Sequence, residues 1–260
     1  MRRNNNGITV GQTMIAANPT EKRIVEGDNV LHVAEFFCDT IQGENFVGSP
    51  STFLRLQGCT LNCDWCDTKE VWRFGNPYTY AELISIMEQH DVINKMRQGQ
   101  HLVITGGSPL RQQKGIVGFL KLFIQTFHFQ PYLEIENECT IMPNAYMNGH
   151  VDCWNNSPKL SMSGNKKEFR YKPEVLKALS KRPNSWFKFV VKDESDWKEI
   201  LEDFLIPELI TKDQIVLMPL GATRDELCEN RERVVRMAIK HNVRYSTREH
   251  IILWDKKTGI

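Results

Sequence analysis

Short apolar segments alternate with amphipathic segments along most of this chain, and this alternation is the strongest constraint on its fold. The apolar runs at residues 101–105 and 214–218 have the length of buried strands. Two capping boxes, Thr79-x-x-Glu82 and Thr223-x-x-Glu226, each open a segment that we expect to be a helix. Strands that alternate with helices form right-handed βαβ units and a largely parallel sheet. The sequence therefore predicts an α/β fold whose ligands bind at the carboxyl ends of the strands.

The predicted elements follow one another from residue 30 to the end of the chain. Strands are expected at residues 31–37, 52–56, 101–105, 132–136, 151–154, 186–191 and 214–218. Helices are expected at residues 79–89, 115–127, 172–181, 195–204 and 223–241, with Ser195 as the N-cap of the fourth. Residues 163–170 are predicted to be a loop, and the tail from residue 243 is expected to be irregular apart from residues 251–254. Residues 1–29 are polar and poorly patterned, so we expect a partly disordered N-terminal extension before one folded domain over residues 30–260.

Composition restricts the class of protein. The chain has 260 residues, 41% hydrophobic and 25% charged, which suits one globular domain with a large core. Its net charge is +1 and it has no long Lys/Arg block, so we expect a small-molecule substrate and no nucleic acid. No run of 18 apolar residues exists, which predicts no membrane span. Residues 4–20 lack the apolar core of an export signal, and the odd number of cysteines, seven, favours a reducing cytoplasm.

Three cysteines stand directly after the predicted strand at residues 52–56, in the pattern Cys59-x3-Cys63-x2-Cys66. Thiolates are soft metal ligands, and one short loop aims these three at a single point. A structural zinc site or an ordinary iron–sulfur cluster takes four protein ligands. Three thiolates with no fourth nearby therefore indicate a [4Fe-4S] cluster with one open iron, where a small molecule can bind and react.

Two other interpretations of these cysteines stay open. A zinc site would need a fourth ligand at short spacing, but the nearest candidates are Cys38, His32 and His90. Inert buried cysteines are disfavoured because the loop also carries polar residues. The remaining cysteines are scattered, and we expect them to be buried or partly buried small hydrophobic residues: Cys38, Cys139, Cys153 and Cys228. The tryptophans are expected in the core or at an interface: Trp72, Trp154, Trp186 and Trp197.

The cysteine spacing is similar to the signature of radical S-adenosylmethionine (SAM) enzymes, and further segments narrow the resemblance. Together they resemble the 7-carboxy-7-deazaguanine synthase family over residues 30–260. The segments are Thr-Ile-Gln-Gly-Glu at 40–44, Phe-Leu-Arg-Leu-Gln-Gly-Cys at 53–59 with Cys-Asp-Thr at 66–68, Val-Ile-Thr-Gly-Gly-Ser-Pro at 103–109, Ile-Glu-Asn-Glu-Cys-Thr at 135–140, Ser-Pro-Lys-Leu at 157–160, and the tail at 250–260. The resemblance implies an incomplete, modified (β/α) barrel of the radical SAM type and a catalytic domain over residues 30–260.

The resemblance also implies a substrate site. Arg55 carries a planar guanidinium that suits the substrate carboxylate, and Glu136 can accept two parallel N–H bonds from the guanidine-like edge of a pterin. The full set of implied substrate contacts is Ile41, Gln42, Gly43, Arg55, Thr105, Glu136, His250 and the terminal Ile260. By residue type alone, Arg55 is equally compatible with a solvated strand position, and His250 is more simply a core or surface histidine.

The cofactor site follows from the same resemblance. Cys59, Cys63 and Cys66 are the implied catalytic cluster ligands, and the hydroxyl of Thr68 is the implied ligand of a magnesium ion, although a helix cap is its simplest alternative. Gly106 and Gly107 would let the backbone approach a ligand closely. The implied SAM-binding set is Trp65, Cys66, Asp67, Gly107, Ser157, Pro158, Lys159, Met218 and Pro219.

The chain departs from the family pattern at three places. Ser108 stands where the family usually has a glutamate that contacts the SAM amino group, and Met218 stands where a glutamine is more frequent. Glu138 and Cys139 replace an amide and a glycine after Glu136. Met218 cannot make the hydrogen bonds of a glutamine amide, so its contact is the weakest of the set.

The function that the resemblance implies is a carbon–nitrogen lyase that converts 6-carboxy-5,6,7,8-tetrahydropterin to 7-carboxy-7-deazaguanine with loss of ammonia. It implies a [4Fe-4S] cluster, SAM and Mg²⁺ as cofactors, a one-electron reductant such as flavodoxin, and a homodimer. The product would feed queuosine or modified-DNA biosynthesis, in the cytoplasm or in a host cytoplasm if the gene is from a phage. The alternatives are another radical SAM enzyme, such as a glycyl-radical activase, and a non-catalytic zinc-binding protein.

Overall fold

The computed structural model describes residues 11–16, 29–43, 45–255 and 257. Within these residues, ten strands form one sheet. They are β1 Gln12–Ile15, β2 Val30–Ile41, β3 Pro50–Leu56, β4 Asn76–Thr79, β5 His101–Gly106, β6 Leu133–Asn137, β7 Cys153–Asn156, β8 Ser185–Val191, β9 Ile215–Pro219 and β10 Arg244–Tyr245. All seven predicted strands are present, with ends that differ by a few residues.

The sheet is mostly parallel, as predicted. From β3 the neighbours run β5, β6, β7, β8, β9 and β10, and every pair in that series is parallel. The long strand β2 is antiparallel to β1, β3 and β4. Among the described residues β1 and β10 are the two ends of the path, so the sheet is open. Because consecutive parallel strands lie side by side, the loops that follow them meet at one edge.

Helices occupy most of the connections between the strands. They are α1 Lys69–Trp72, α2 Tyr80–Gln89, α3 Val92–Arg97, α4 Gln113–Phe127, α5 Ala145–His150, α6 Lys167–Arg170, α7 Pro173–Ser180, α8 Glu194–Ile200, α9 Arg224–His241 and α10 Glu249–Trp254. The capping box at Thr79 and Glu82 is fully formed at the start of α2. At α9, Thr223 accepts the amide of Glu226, whereas the Glu226 carboxylate accepts the amide of Ala222. No helix of the described residues is long and apolar enough to cross a membrane.

The two faces of the sheet differ in what they carry. In β3, Leu54 and Leu56 are fully buried in the main core, while Phe53 and Arg55 point to the opposite face because successive residues of a strand alternate. On that second face Phe53 stacks on Phe37 with ring centroids 5.2 Å apart. The helices thus cover one apolar face, and the other face is left to line a site.

Several expectations about local structure are wrong. Asp193, not Ser195, is the N-cap of α8, because its carboxylate accepts the Ser195 amide, and the predicted helix turns into a π-helical segment at Leu201–Leu205. The predicted loop at residues 163–170 ends in α6. In the tail, β10 was not expected, whereas the segment 251–254, the predicted exception to an irregular tail, lies within α10. Sequence periodicity also missed α1, α3 and α5, which are too short to show it.

The predicted N-terminal extension has structure where it is described. Gln12–Ile15 forms β1 and pairs with β2, with Gln12 opposite Cys38. Residues 1–10 and 17–28 lie outside the described residues. The division of the chain at residue 30 therefore stays a prediction.

Candidate active site

A cavity of about 870 Å³ lies on the second face of the sheet, at the carboxyl ends of the parallel strands. Its wall takes residues from β2, β3, β5, β6, β7, β8 and β9, from the loops that follow them and from the C-terminal tail. The volume is in the range of small-molecule and cofactor sites. The position agrees with the rule that ligands bind at the strand carboxyl ends.

The loop that carries Cys59, Cys63 and Cys66 forms one wall of this cavity. Its start is fixed by backbone hydrogen bonds, since the Gly58 amide donates to the Trp72 carbonyl and the Gly58 carbonyl accepts the Ser108 amide, both at 2.8 Å. Farther along, the Asp64 amide donates to the Ser163 carbonyl at 3.0 Å. The loop is therefore held by segments that follow β5 and β7, not only by its own turns.

Each of the three sulfur atoms accepts a hydrogen bond from a neutral side chain. Ser108 Oγ donates to Cys59 Sγ at 3.4 Å, Asn165 Nδ2 to Cys63 Sγ at 3.3 Å and Trp72 Nε1 to Cys66 Sγ at 3.4 Å. Trp72 was expected in the core or at an interface, but it lies on the cavity wall in contact with Cys66. Donors around the sulfur atoms are among the levers by which a protein adjusts an iron–sulfur cluster.

Burial raises the pKa of the Cys59 and Cys63 thiols. Hydrogen bonds from Ser108 and the Leu61 amide partly oppose this effect at Cys59, and the Lys159 ammonium partly opposes it at Cys63. A metal displaces the thiol proton when it binds, because the thiolate is the ligand. Cys59 and Cys63 are therefore expected to stay protonated until a metal binds.

The donor set fits a cluster better than a single ion. Within the described residues, no group of three or more His, Cys, Asp or Glu side chains converges closely enough to hold one metal ion. A zinc site needs that convergence, whereas in a [4Fe-4S] cluster each iron takes its own thiolate. Three thiols around one cavity, each hydrogen-bonded, match the second arrangement.

The end of β5 packs tightly against the cysteine loop. A side chain at Gly107 would meet the Cys59 Cβ at 2.4 Å and the Gly58 carbonyl oxygen at 2.5 Å. Only glycine fits there, and its backbone thus lies on the cavity wall beside the cysteine loop. The approach seen here is to the cysteine loop, whereas the approach of a ligand to Gly106 and Gly107 stays a prediction.

Thr68 stands at the N-cap position of α1, but its side chain makes no capping hydrogen bond. Its hydroxyl instead lies 3.8 Å from Cys66 Sγ, and the residue lines the cavity. The alternative of a structural helix cap is therefore not supported by the geometry.

The segment after β7 adds a second set of cavity contacts. Ser157 and Lys159 line the cavity, and the Lys159 ammonium donates to Ser157 Oγ at 2.7 Å while lying 5.5 Å from the Trp65 ring centroid. Buried Arg170 holds this segment, since its guanidinium donates to the Lys159 and Asn165 carbonyl oxygens at 3.0 and 3.2 Å.

The opposite wall is a network of polar side chains centred on Glu136. Thr105 Oγ1 donates to Glu136 Oε2 at 2.7 Å, and Gln42 Nε2 lies 3.4 Å from Oε1. Gln42 also donates to the fully buried Glu134, whose other partners are His101 and Asn155. Burial raises the pKa of Glu136, and the Thr105 hydroxyl and the Arg55 charge partly oppose this effect.

Arg55 faces the same wall and is already paired. Its Nε donates to Glu35 Oε2 at 2.9 Å, and both side chains are largely buried. A paired guanidinium still presents its outer N–H groups to a further carboxylate. Glu35, which the sequence did not single out, thus sets the orientation of Arg55.

The C-terminal tail closes this side of the cavity. A side chain at Gly43 would meet His250 Nδ1 at 2.8 Å, so the segment after β2 and the start of α10 are in contact. Burial, together with the nearby Arg248, lowers the pKa of His250 to about 3, so its imidazole is neutral. Arg248 pairs with Asp67, which joins the tail to the cysteine loop.

Nearly all predicted site residues therefore meet around one cavity. Those on its wall are Ile41, Gln42, Gly43, Arg55, Cys59, Cys63, Trp65, Cys66, Asp67, Thr68, Thr105, Gly107, Glu136, Ser157, Lys159, Met218 and His250. Pro158 and Pro219 are next to wall residues but are not part of the wall. Ile260 lies outside the described residues, as does Glu44.

Sequence reasoning missed some wall residues and misjudged others. Lys188 points into the cavity from the middle of β8, where an apolar residue is the usual choice. Arg248 and Asn165 lie in segments without a recognisable motif. Of the four other cysteines, Cys38, Cys139 and Cys153 are buried as expected, but Cys228 is exposed on α9. A lysine inside an apolar strand is the one signal that would have identified Lys188.

Comparisons with known proteins agree with this site. A family model described as a 4Fe-4S single cluster domain matches residues 42–134. The 7-carboxy-7-deazaguanine synthase of Pyrobaculum aerophilum is 30% identical over 88% of this chain and 97% of its own length. That of Halobacterium salinarum is 29% identical over 93% and 98%. The crystal structure of QueE from Escherichia coli shares the fold, with a TM-score of 0.59 and 23% identity over 86% of this chain and 99% of that one.

A parallel α/β sheet with a three-cysteine loop beside a polar cavity defines a radical SAM iron–sulfur enzyme. The similarity to these relatives extends over most of both chains, and it narrows the class to one family. The chain belongs to the 7-carboxy-7-deazaguanine synthase family, the radical SAM lyases of deazaguanine biosynthesis.

Proposed function

We propose that this chain converts 6-carboxy-5,6,7,8-tetrahydropterin to 7-carboxy-7-deazaguanine with loss of ammonia. One observation carries the proposal: the three cysteines and the charged wall of Arg55 and Glu136 share a single cavity. A radical enzyme needs its metal site and its substrate site within reach of each other. A bicyclic pterin with a carboxylate offers the anion that Arg55 suits and the N–H groups that Glu136 suits.

The residues of the cavity divide into three tasks in this proposal. Cys59, Cys63 and Cys66 would hold the [4Fe-4S] cluster, and Thr68 would supply one oxygen ligand to Mg²⁺, which prefers oxygen and keeps several waters. The SAM-binding set is Trp65, Cys66, Asp67, Gly107, Ser157, Pro158, Lys159, Met218 and Pro219. The substrate-binding set is Ile41, Gln42, Gly43, Arg55, Thr105, Glu136, His250 and Ile260.

The chemistry that bound cluster and SAM would supply is a carbon-centred radical that removes a hydrogen atom from the substrate. The residues of the chain would position the substrate and keep water out of the cavity. Arg55, held by Glu35 at 2.9 Å, would fix the substrate carboxylate, and Glu136, held by Thr105 at 2.7 Å, would fix the opposite edge. The neutral imidazole of His250 and the rest of the tail would close the cavity against water.

The finer architecture and the partners are also proposals. Residues from seven strands that converge on one cavity support a sheet that curls into an incomplete (β/α) barrel. We further propose a homodimer in the cytoplasm and flavodoxin as the one-electron reductant. The alternative function, a glycyl-radical activase, does not require Gln42, Arg55 and Glu136 together on the cavity wall.

The test is anaerobic incubation of the iron-loaded protein with SAM, dithionite and 6-carboxytetrahydropterin, followed by mass spectrometry. We expect 7-carboxy-7-deazaguanine and 5′-deoxyadenosine, and neither when SAM is omitted. Cleavage of SAM without any deazapurine would leave a radical SAM enzyme with a different substrate. An intact cluster with no cleavage of SAM would contradict the whole proposal.

A further inference from the structure

Glu138 is a buried carboxylate on the cavity wall that the proposed chemistry has not used. It stands one residue after β6, is 4% exposed and lines the cavity. Its Oε1 accepts hydrogen bonds from the hydroxyls of Thr60 and Thr140 at 2.9 and 2.5 Å. Its Oε2 is enclosed and has no hydrogen-bond partner among the described residues. A buried carboxylate oxygen without a donor is unfavourable by an amount comparable to a lost hydrogen bond to a charged group.

The surroundings of Glu138 place this oxygen beside the cysteine loop. Thr60, which donates to Glu138, follows Cys59 directly, and its amide donates to Ser108 Oγ at 2.8 Å. Ser108 in turn donates to Cys59 Sγ. Burial is the main cause of the raised pKa of the Cys59 thiol, and the negative charge of Glu138 adds to it. A ligand group that reaches the free Oε2 of Glu138 would have to be a hydrogen-bond donor.

Because Ser108 replaces the glutamate that is usual in the family, the end of β5 has no carboxylate at this position. It is fully buried, and its hydroxyl is committed to the Cys59 sulfur and the Thr60 amide. Glu138 reaches the same place from the neighbouring strand, since Ser108 follows β5 and Glu138 follows β6, which pair in parallel. The Lys159 ammonium acts on both Cys59 and Cys63, but its hydrogen bond is to Ser157, and within the described residues it makes no ion pair with Glu138.

We propose that Glu138 receives the amino group of SAM, so that this chain supplies from the end of β6 a carboxylate that the end of β5 lacks. This inference rests on the proposed function, because it takes SAM as the cofactor. The methionine part of SAM carries an amino group and a carboxylate, and only the amino group is a donor that a carboxylate can accept. Glu138 is thus a positioning residue for the cofactor, with its Thr60 and Thr140 contacts holding the other oxygen.

The experiment compares two ligands on anaerobic, iron-loaded protein by calorimetric titration. SAM has the amino acid part, and 5′-methylthioadenosine lacks it. For Glu138→Gln we expect SAM to bind about 10-fold to 100-fold more weakly, because one hydrogen bond to a charged group is lost, and methylthioadenosine to bind as in the wild type. Glu88→Gln, which removes the same charge from an exposed position on α2, is the matched control and should change neither affinity.

Iron content per chain is measured first for each variant. If Glu138→Gln does not retain iron, Glu138→Asp replaces it, with the same expected loss for SAM alone because the shorter carboxylate falls short of the amino group. Unchanged SAM affinity in iron-loaded variants would overturn the inference, as would an equal loss for both ligands. Tighter SAM binding would also overturn it, because Glu138 would then face the SAM carboxylate. A wild type that binds neither ligand would instead remove the proposed function itself.

Discussion

The two walls of the cavity are built in different ways. The cysteine wall comes from ten consecutive residues, 59–68, and its sulfur atoms are contacted by the neutral side chains of Ser108, Asn165 and Trp72. The opposite wall is assembled from β2, β3, β6, β8 and the tail, and its groups are charged or titratable. One wall offers ligands to a metal in neutral surroundings, and the other offers fixed charges to an organic molecule.

The difference has a consequence for substitutions. On the cysteine wall the loss of one sulfur removes a bond to the metal, for which nothing nearby substitutes. On the charged wall the loss of one group leaves its partner buried and unpaired, as Glu35 would be without Arg55. We therefore expect failures of metal loading on one side and failures of substrate binding on the other.

The largest expected effect is that of Cys63→Ala. It should abolish the cluster and all cleavage of SAM, because one iron loses its thiolate. Cys228→Ala, at an exposed cysteine of α9, is the control and should retain the iron of the wild type. Iron and sulfide analysis after anaerobic purification gives the comparison. Full SAM cleavage by Cys63→Ala would break the distinction between the two walls and remove the radical SAM assignment of this loop.

Arg55→Lys tests the charged wall. We expect loss of about 2–5 kcal/mol in the binding of carboxypterin, since a lysine cannot reproduce the bidentate guanidinium and leaves Glu35 poorly paired. SAM should bind as before, because Arg55 is not among the residues proposed to contact SAM. Calorimetric titration with SAM, and then with carboxypterin, separates the two. An equal loss of both affinities would indicate general misfolding, and no loss of either would place the substrate away from Arg55.

Substitution of Lys188 should have a smaller effect, on how the free energy of unfolding depends on pH. Burial, with the nearby Arg248, lowers the pKa of Lys188 from 10.5 to about 7. Between these pH values the unfolded chain binds one more proton than the folded chain, so stability rises with pH, by at most about 1.4 kcal/mol per unit. In Lys188→Met this rise should disappear. Urea unfolding of both proteins at pH 7, 8 and 9 measures the difference, and parallel pH profiles would show that Lys188 is protonated throughout.

The smallest expected effect is that of Thr68→Ala on stability. Thr68 makes no capping hydrogen bond, so the free energy of unfolding should be nearly unchanged. Thr79→Ala, which removes the formed cap of α2, should lower it by about 1 kcal/mol. Turnover against added magnesium should nevertheless be weaker in Thr68→Ala, with iron content unchanged. Identical magnesium curves for variant and wild type would remove Thr68 from the metal site.

The sequence predicted most of what depends on neighbouring residues. The strands of the parallel sheet, the capping box of α2 and the cysteine loop are all where the patterns indicated. Short helices such as α3 escaped because six residues are too few to show a period. The cap of α8 was misjudged because Asp193 and Ser195 are both good caps, and only the backbone geometry decides between them.

Sequence by itself determined the chemistry of the cysteine wall, because Cys59, Cys63 and Cys66 are close along the chain and a short loop must bring them together. Only the tertiary structure decided the charged wall. Glu35 and Arg55 lie on antiparallel strands, Lys188 comes from the far part of the sheet, and Arg248 reaches Asp67 from the tail. Such contacts depend on strand order and register, which no local pattern specifies. The same reason explains Glu138, whose unpartnered oxygen is visible only once β5 and β6 are side by side.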